Sequence, residues 1–194
     1  MIRETSISDV DAVAELHHKS IDNSFLTLLG VDFLKVLHEG FVESDLAQTF
    51  VYCEDGIVRG LICGTNHPKG FLKKIFFLKL ARFTKIIIPK LLTNPKILFS
   101  CFETLFYSKK TQIREDAELL VIVVDKDVRG EGIGSKLLTH LLDEFSRKNA
   151  RKVKVIVDES NTYANQFYGK MGFNIEKSVK LYGKKIDVYS RSLT

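Results

Sequence analysis

Residues 118–138 constrain this chain more than any other stretch. A near-continuous apolar run at 118–124 passes through Asp125-Lys126-Asp127-Val128-Arg129-Gly130-Glu131-Gly132-Ile133-Gly134 and directly into Ser135-Lys136-Leu137-Leu138. An unbroken apolar run of this length reads as a central strand covered on both faces. The glycine-rich turn that follows opens a helix, so several backbone N–H groups and the positive end of a helix dipole aim at one point. Gly132 and Gly134 allow positive φ and the close approach of a ligand, and Gly130, Ile133 and Ser135 add their backbone to the same turn. The segment reads as a cradle for a diphosphate.

Three phosphate-binding patterns compete for this turn. A Walker loop requires Gly-Lys-Ser/Thr, whereas Gly134 is followed by Ser135-Lys136. A dinucleotide fingerprint requires a third glycine two residues beyond Gly134 and a sizeable βαβ sheet downstream, yet the chain of 194 residues leaves only 60 after Gly134. The third pattern, Arg/Gln-x-x-Gly-x-Gly/Ala, is met by Arg129, Gly132 and Gly134. A second motif lies downstream. Asn161-Thr162-Tyr163-Ala164-Asn165-Gln166-Phe167-Tyr168-Gly169-Lys170-Met171-Gly172-Phe173 is similar to an Asn-x-x-Ala-x-x-Phe-Tyr-x-x-x-Gly-Phe signature. Both motifs, in this order, resemble the GNAT superfamily of acyl-CoA N-acyltransferases, over roughly residues 118–193.

The resemblance implies a fold and a chemistry. The fold would be α/β, a central mixed and largely antiparallel sheet flanked by helices, with one domain spanning 1–194 and a helical insertion at about 68–116, between the third and fourth strands. The cosubstrate would be acetyl-CoA, its diphosphate on the turn of Arg129, Gly130, Gly132, Ile133, Gly134 and Ser135. Backbone N–H groups near Val123 and Val124 would polarise the thioester where the fourth and fifth strands splay. Tyr168 would protonate the departing sulfur, and Asn161, taken as two turns earlier on the same helix face, would bond the pantetheine arm. Outside its motif, Tyr168 reads as an amphipathic tyrosine packing a helix end. Glu118 sits where the family often places a general base, but Asp125, Asp158, Glu159 and His67 also lie near strand ends, and the residues do not choose among them.

Charge adds one further constraint. Between residues 68 and 110 ten Lys/Arg face a single acid, Glu103, a local balance of +9 within a chain of net +5. Lys73, Lys74, Lys79, Arg82, Lys85 and Lys90 alternate with Phe and aliphatic residues in two or three amphipathic helices punctuated by Pro89 and Pro95. Three readings fit: a cap supplying positive charge to the acceptor pocket, a solvated basic face, or docking on a membrane surface. No DNA- or RNA-binding motif accompanies the lysines, so no nucleic-acid partner is expected. The acceptor implied by the resemblance is an amine: an amino sugar or other anionic amine, with a protein N-terminus or lysine as alternatives. A non-catalytic coenzyme A-binding module is the rival from another class, and the assembly is monomer or homodimer.

The remaining features exclude more than they assign. Cys53, Cys63 and Cys101 are sparse and unpaired in spacing, so no disulfide framework, zinc site or cysteine nucleophile is expected, and no metal. Without an apolar leader or a 20-residue apolar span, a cytoplasmic protein is the expectation. His17, His18 and His38 fall on helical patterns and read as packed or solvated. Upstream, a strand at 2–4 and a helix capped by Ser6 or Ser8 lead to a polar break at Asp22-Asn23-Ser24. A second helix follows, with Val31, Leu34, Leu37, Phe41 and Val42 inward, and then a hairpin turning at Asp55-Gly56. Downstream come a helix at about 134–149, a strand at 153–157, a short helix at 161–171 and a hairpin at Tyr182-Gly183.

Overall fold

The computed structural model describes residues 1–21 and 24–193; Asp22 and Asn23 of the expected polar break lie outside the described residues. Strand β1 (Ile2–Glu4) precedes α1 (Val10–Ser20), the short α2 (Phe25–Leu28) and α3 (Val31–Val42). Strands β2 (Ala47–Glu54) and β3 (Ile57–Thr65) turn at Asp55 and Gly56, whose φ values of 49° and 77° are those of the two-residue hairpin turn matching strand twist. Three helices separate β3 from β4 (Ala117–Val124): α4 (Phe71–Leu78), α5 (Leu80–Thr93) and α6 (Lys96–Lys110). Then come α7 (Ile133–Arg147), β5 (Lys152–Asp158), α8 (Thr162–Lys170), β6 (Asn174–Leu181) and β7 (Lys184–Ser192).

The seven strands form one sheet in the order β1-β2-β3-β4-β5-β7-β6. Every neighbouring pair is antiparallel except β4 and β5. One face packs on α1, α3, α4 and α5 through Val51, Leu61, Cys63, Val121 and Val123. The other packs on α7 and α8 through Ile62, Leu119, Val153 and Val155. The alternation of side chains along β4 delivers its apolar run to both faces, as the unbroken hydrophobicity requires.

Two expectations about helices change. On α3, Phe33, Val36 and His38 are buried as well as the expected stripe, while Val31 and Val42 are only half-buried, because α4 and α5 clasp the helix from a second side. Pro89 does not break its segment but lies inside α5, on an exposed turn where water can take the carbonyl bond that proline cannot donate to. Pro95 does mark a boundary, at the N-cap of α6.

The sheet carries its functional irregularity at β4. A bulge shifts the β3–β4 register between Cys63↔Val121 and Gly64↔Leu119, leaving Leu120 extra. Gly64 is what lets the strands and α7 close there. A Cβ at that position would lie 2.5 Å from Phe145 Cζ and 2.8 Å from the Glu118 carbonyl oxygen. Gly64→Ala is expected to destabilise the fold by about 1–3 kcal/mol, because backbone cannot step aside as a side chain can. Chemical denaturation checks this, and a midpoint equal to wild type would refute the close-packing account.

Candidate active site

Strands β4 and β5 pair only at Ala117↔Val153 and Glu118↔Lys154. Beyond that point β4 remains bonded to β3 alone, so its other edge faces an opening. Which amides point into it follows from the ladder. The Asp125 N–H donates to the Arg59 carbonyl at 2.8 Å, which makes Asp125 and Arg59 a hydrogen-bonded pair. Antiparallel pairs alternate, so the next bonded pair is Val123↔Leu61. The Val123 N–H is thus spent on β3, contrary to its expected role at the thioester. The amides of Val124 and of Ile122 face the opening; Ile122 was missed because the phase of the alternation depends on β3, not on β4 itself.

The far end of the opening meets the glycine turn. Gly130 and Gly132 have φ of 93° and 78°, and Gly132 is the N-cap of α7. A Cβ on Gly132 would meet nothing within 4 Å, so the surroundings leave this side of the turn clear. Gly134 differs from expectation: it is inside α7 and is not among the positive-φ residues, and its Cβ position is 3.6 Å from Phe167 and Val124. The amides of Ile133, Gly134 and Ser135 belong to the first helical turn and lack intrahelical acceptors. No acid occupies that turn. The Arg129 guanidinium is engaged elsewhere, donating from Nε to the Val124 carbonyl at 3.1 Å and to the Ser20 carbonyl at 3.2 Å. It braces the turn against the ends of β4 and α1.

On α8, Tyr168 is buried among Phe167, Phe173 and Tyr189. Burial holds its phenol well above the ordinary tyrosine range, so it is fully protonated at neutral pH. Its hydroxyl has no hydrogen-bond partner among the described residues, yet it is not sealed from solvent. Asn161 is not on the helix with it. It is the N-cap of α8, its Oδ1 accepting from the Ala164 N–H at 3.1 Å, because the chain must turn sharply out of β5 before helical φ/ψ begins. Its Nδ2 group remains as a donor. Asn165, a further polar residue of the motif, bonds the Asp158 and Glu159 carbonyls and secures the same loop.

Glu118 lies where β4 and β5 part, 1% exposed, and its side chain points to the face that α6 roofs. The fully buried Lys154 stands 3.7 Å from Glu118 Oε2, too far for a hydrogen bond, and makes its close pair with Glu115 at 3.0 Å. Thr111 at 3.3 Å completes the lysine's shell, and Tyr107 of α6 lies beside Glu118. Burial raises the Glu118 carboxyl to about 7, against partial opposition from Lys154 and Tyr107. Oε2 is buried with no hydrogen-bond partner. Lys154, Glu115 and Tyr107 were invisible to motif reading, although a lone lysine inside the apolar β5 run was a signal.

The other acids are set for different work. Asp125 is held below the usual carboxylate range by Arg59 at 2.8 Å, and Asp158 by Ser160 and Lys184. Glu159 pairs with Lys185. His17 Nδ1 and His38 Nε2 are 2.9 Å apart inside the α1–α3 interface, where burial lowers His17 to about 4, so this pair is neutral packing. Lys79 and Arg82 do not supply charge to an acceptor pocket. They pair with Glu39 of α3, and Lys79 also with Glu43. Hydroxyls of α6 and its C-cap line this region: Tyr107 beside Glu118, Thr111 on Lys154, and Thr104 3.0 Å from the Tyr182 hydroxyl, while Glu103 accepts from the Tyr182 amide at 2.7 Å.

Comparison with known proteins agrees with this geometry. Residues 104–173 match the acetyltransferase (GNAT) family. Over 67 residues, 34% of the chain, it is 37% identical to an uncharacterised N-acetyltransferase of Methanocaldococcus jannaschii, covering 30% of that protein. Over 62 residues, 32% of the chain, it is 36% identical to the ribosomal protein bS18-alanine N-acetyltransferase of Escherichia coli, covering 42% of it. The chain thus matches less than half the length of these curated relatives. The whole chain shares its fold with an N-acetyltransferase of Thermoplasma acidophilum solved with coenzyme A, at TM-score 0.65 and 15% identity, covering 99% of this chain and 98% of that one. Residues 104–173 thus match the acetyltransferase (GNAT) family, and the whole chain shares the fold of a solved N-acetyltransferase.

Proposed function

We propose that the protein is an N-acetyltransferase that moves an acetyl group from acetyl-CoA directly onto a primary amine. The observation that carries this reading is the opening between β4 and β5, edged by the free amides of Ile122 and Val124 and ending at the clear glycine turn on the N-terminus of α7. The site fits coenzyme A: the space beside Gly132 and the α7 amides suit a diphosphate, and an amide edge suits an extended pantetheine arm. Acetyl-CoA supplies an activated thioester. The chain's part is to align it, to offer an amide of β4 to the carbonyl oxygen, and to handle two protons.

Glu118 takes the proton from the attacking ammonium. Near pH 7 its raised pKa matches a general base, and its unpartnered Oε2 is an acceptor that an amine or an intervening water would satisfy. About 13 Å of strand separates it from Ile122, or less across the bulge, so water relays the proton. Tyr168 acts at the sulfur. Its phenol is too weak an acid to yield its proton outright, so it donates a hydrogen bond that strengthens as charge grows on sulfur. Tyr168→Phe should therefore lower kcat by about 10²-fold with coenzyme A affinity nearly unchanged. Steady-state rates with a thiol-detecting assay test it, and an unchanged kcat would reduce Tyr168 to packing.

The acceptor face favours a small polyhydroxy amine such as an amino sugar. Its lining carries the hydroxyls of Tyr107, Thr111 and Thr104 beside charges that are paired among themselves, Lys154 with Glu115 and Glu103 with Lys110, and Lys79 and Arg82 are already neutralised by Glu39 and Glu43. A protein N-terminus is the second reading, because the Escherichia coli relative is named for an alanine acceptor on a ribosomal protein. Thiol release across a panel of amino sugars and short peptides separates the two.

A further inference from the structure

Among the described residues, nine of the fifteen exposed large hydrophobic side chains fall within α4, α5 and α6, so this segment has a surface unlike the rest. The helices are amphipathic in a particular way. Their inner faces carry Phe83, Ile87 and Tyr107 into the protein. Their outer faces are also largely apolar: Ala81, Ile88 and Leu92 lie exposed at helical spacing along α5, with Lys85 between them, and Phe99, Phe102 and Phe106 do so along α6. Leu92 at 85% and Phe99 at 67% exposure flank the Asn94-Pro95 turn, so the tip of the α5–α6 hairpin is its most apolar part.

Charge identifies the partner. Lys69, Lys74 and Lys85 are exposed and make no ion pair among the described residues. The Lys73 and Lys109 ammonium groups lie 4.9 and 5.7 Å from the Phe106 ring, and Phe102 stacks on Phe106. The one acid, Glu103, is spent on Lys110 and the Tyr182 amide. A second copy meeting this face symmetrically would set like charge against like charge. Nucleic acid would leave the Phe and Leu side chains in water. An anionic bilayer surface accepts both: phosphates for the lysines and acyl chains for the tip. No helix among the described residues is long and apolar enough to cross a membrane, so the fit is to its surface.

We propose that the α5–α6 hairpin docks this protein on an anionic lipid surface, with Ile88, Leu92, Leu98, Phe99 and Phe102 at the acyl boundary and the exposed lysines at headgroup depth. Co-sedimentation with phosphatidylglycerol-containing vesicles tests it on the full chain. Wild type should bind these and not pure phosphatidylcholine vesicles. Leu92→Ser with Phe99→Ser should weaken binding by about 10-fold or more, and Lys74→Glu with Lys85→Glu should weaken it and remove most of its salt dependence. All three proteins should keep the same far-UV circular dichroism and the same melting shift with coenzyme A, since no altered residue touches the opening at β4. Absence of wild-type binding, equal binding to neutral vesicles, or a solution dimer that Leu92→Ser with Phe99→Ser dissociates would each overturn the proposal. So would capture by an acidic polypeptide with vesicles left unbound.

Discussion

Glu118→Gln is expected to lower kcat/KM by about 10²–10⁴-fold, the usual worth of a positioned general base, while leaving coenzyme A affinity intact. The wild-type rate should rise with pH through about 7, where the buried carboxyl loses its proton, and the variant should lose that limb. A stability measurement tests the same assignment independently of turnover. The folded-state pKa is raised above the ordinary 4.5, so in this window the native state binds the proton that the unfolded state has released. Stability linked to Glu118 is therefore fully present below about 4.5 and is lost as pH rises toward 7. Glutamine cannot ionise, so the melting temperature of Glu118→Gln relative to wild type should climb between pH 5 and pH 8. A difference constant across that range would mean that Glu118 titrates as an ordinary carboxylate, and the base would have to be sought elsewhere.

What the sequence made legible was mostly local. The Asp55-Gly56 turn, with φ of 49° and 77°, is set by two residues that tolerate left-handed backbone, while at Tyr182-Gly183, with φ of 52° and 74°, only the glycine does. The helix after Gly132 was readable for the same reason, since strand, αL glycine and apolar periodicity are contiguous. The site needed information from further away. Choosing Glu118 among five candidates required Lys154 across the strand pair and Tyr107 above it, 36 and 11 residues distant in sequence. Separating Val123 from Ile122 and Val124 required the Asp125–Arg59 bond on β3. The cationic segment was plain in composition, but the partners of Lys79 and Arg82 lie on α3 some forty residues earlier, and that pairing decides where its charge is used. Asn161 illustrates the smallest such error. One residue of difference in where α8 begins turns a helix-face donor into an N-cap.

The largest effect on binding is expected at the glycine turn. At acetyl-CoA 100 times its dissociation constant, wild type should gain about 2.7 kcal/mol of stability, and a protein unable to bind should gain none. Gly132→Val fills the space that the fold leaves clear beside the α7 amides and should abolish the gain. That variant also forces a β-branched residue to φ 78°, at roughly 1–2 kcal/mol, so its unliganded melting temperature should fall as well. The two effects separate because the first is read as a difference with and without ligand. Gly134→Val carries no αL strain, because Gly134 is helical, although its added methyls must pack against Phe167 and Val124, which lie 3.6 Å from the Cβ position. It too should lose most of the ligand-induced shift. Arg129→Ala supplies the contrast, because its guanidinium holds the Val124 and Ser20 carbonyls, and so it should lower intrinsic stability while retaining much of the shift. Differential scanning calorimetry with and without acetyl-CoA distinguishes the three. If Gly132→Val and Gly134→Val both shift as far as wild type, the diphosphate does not rest on this turn.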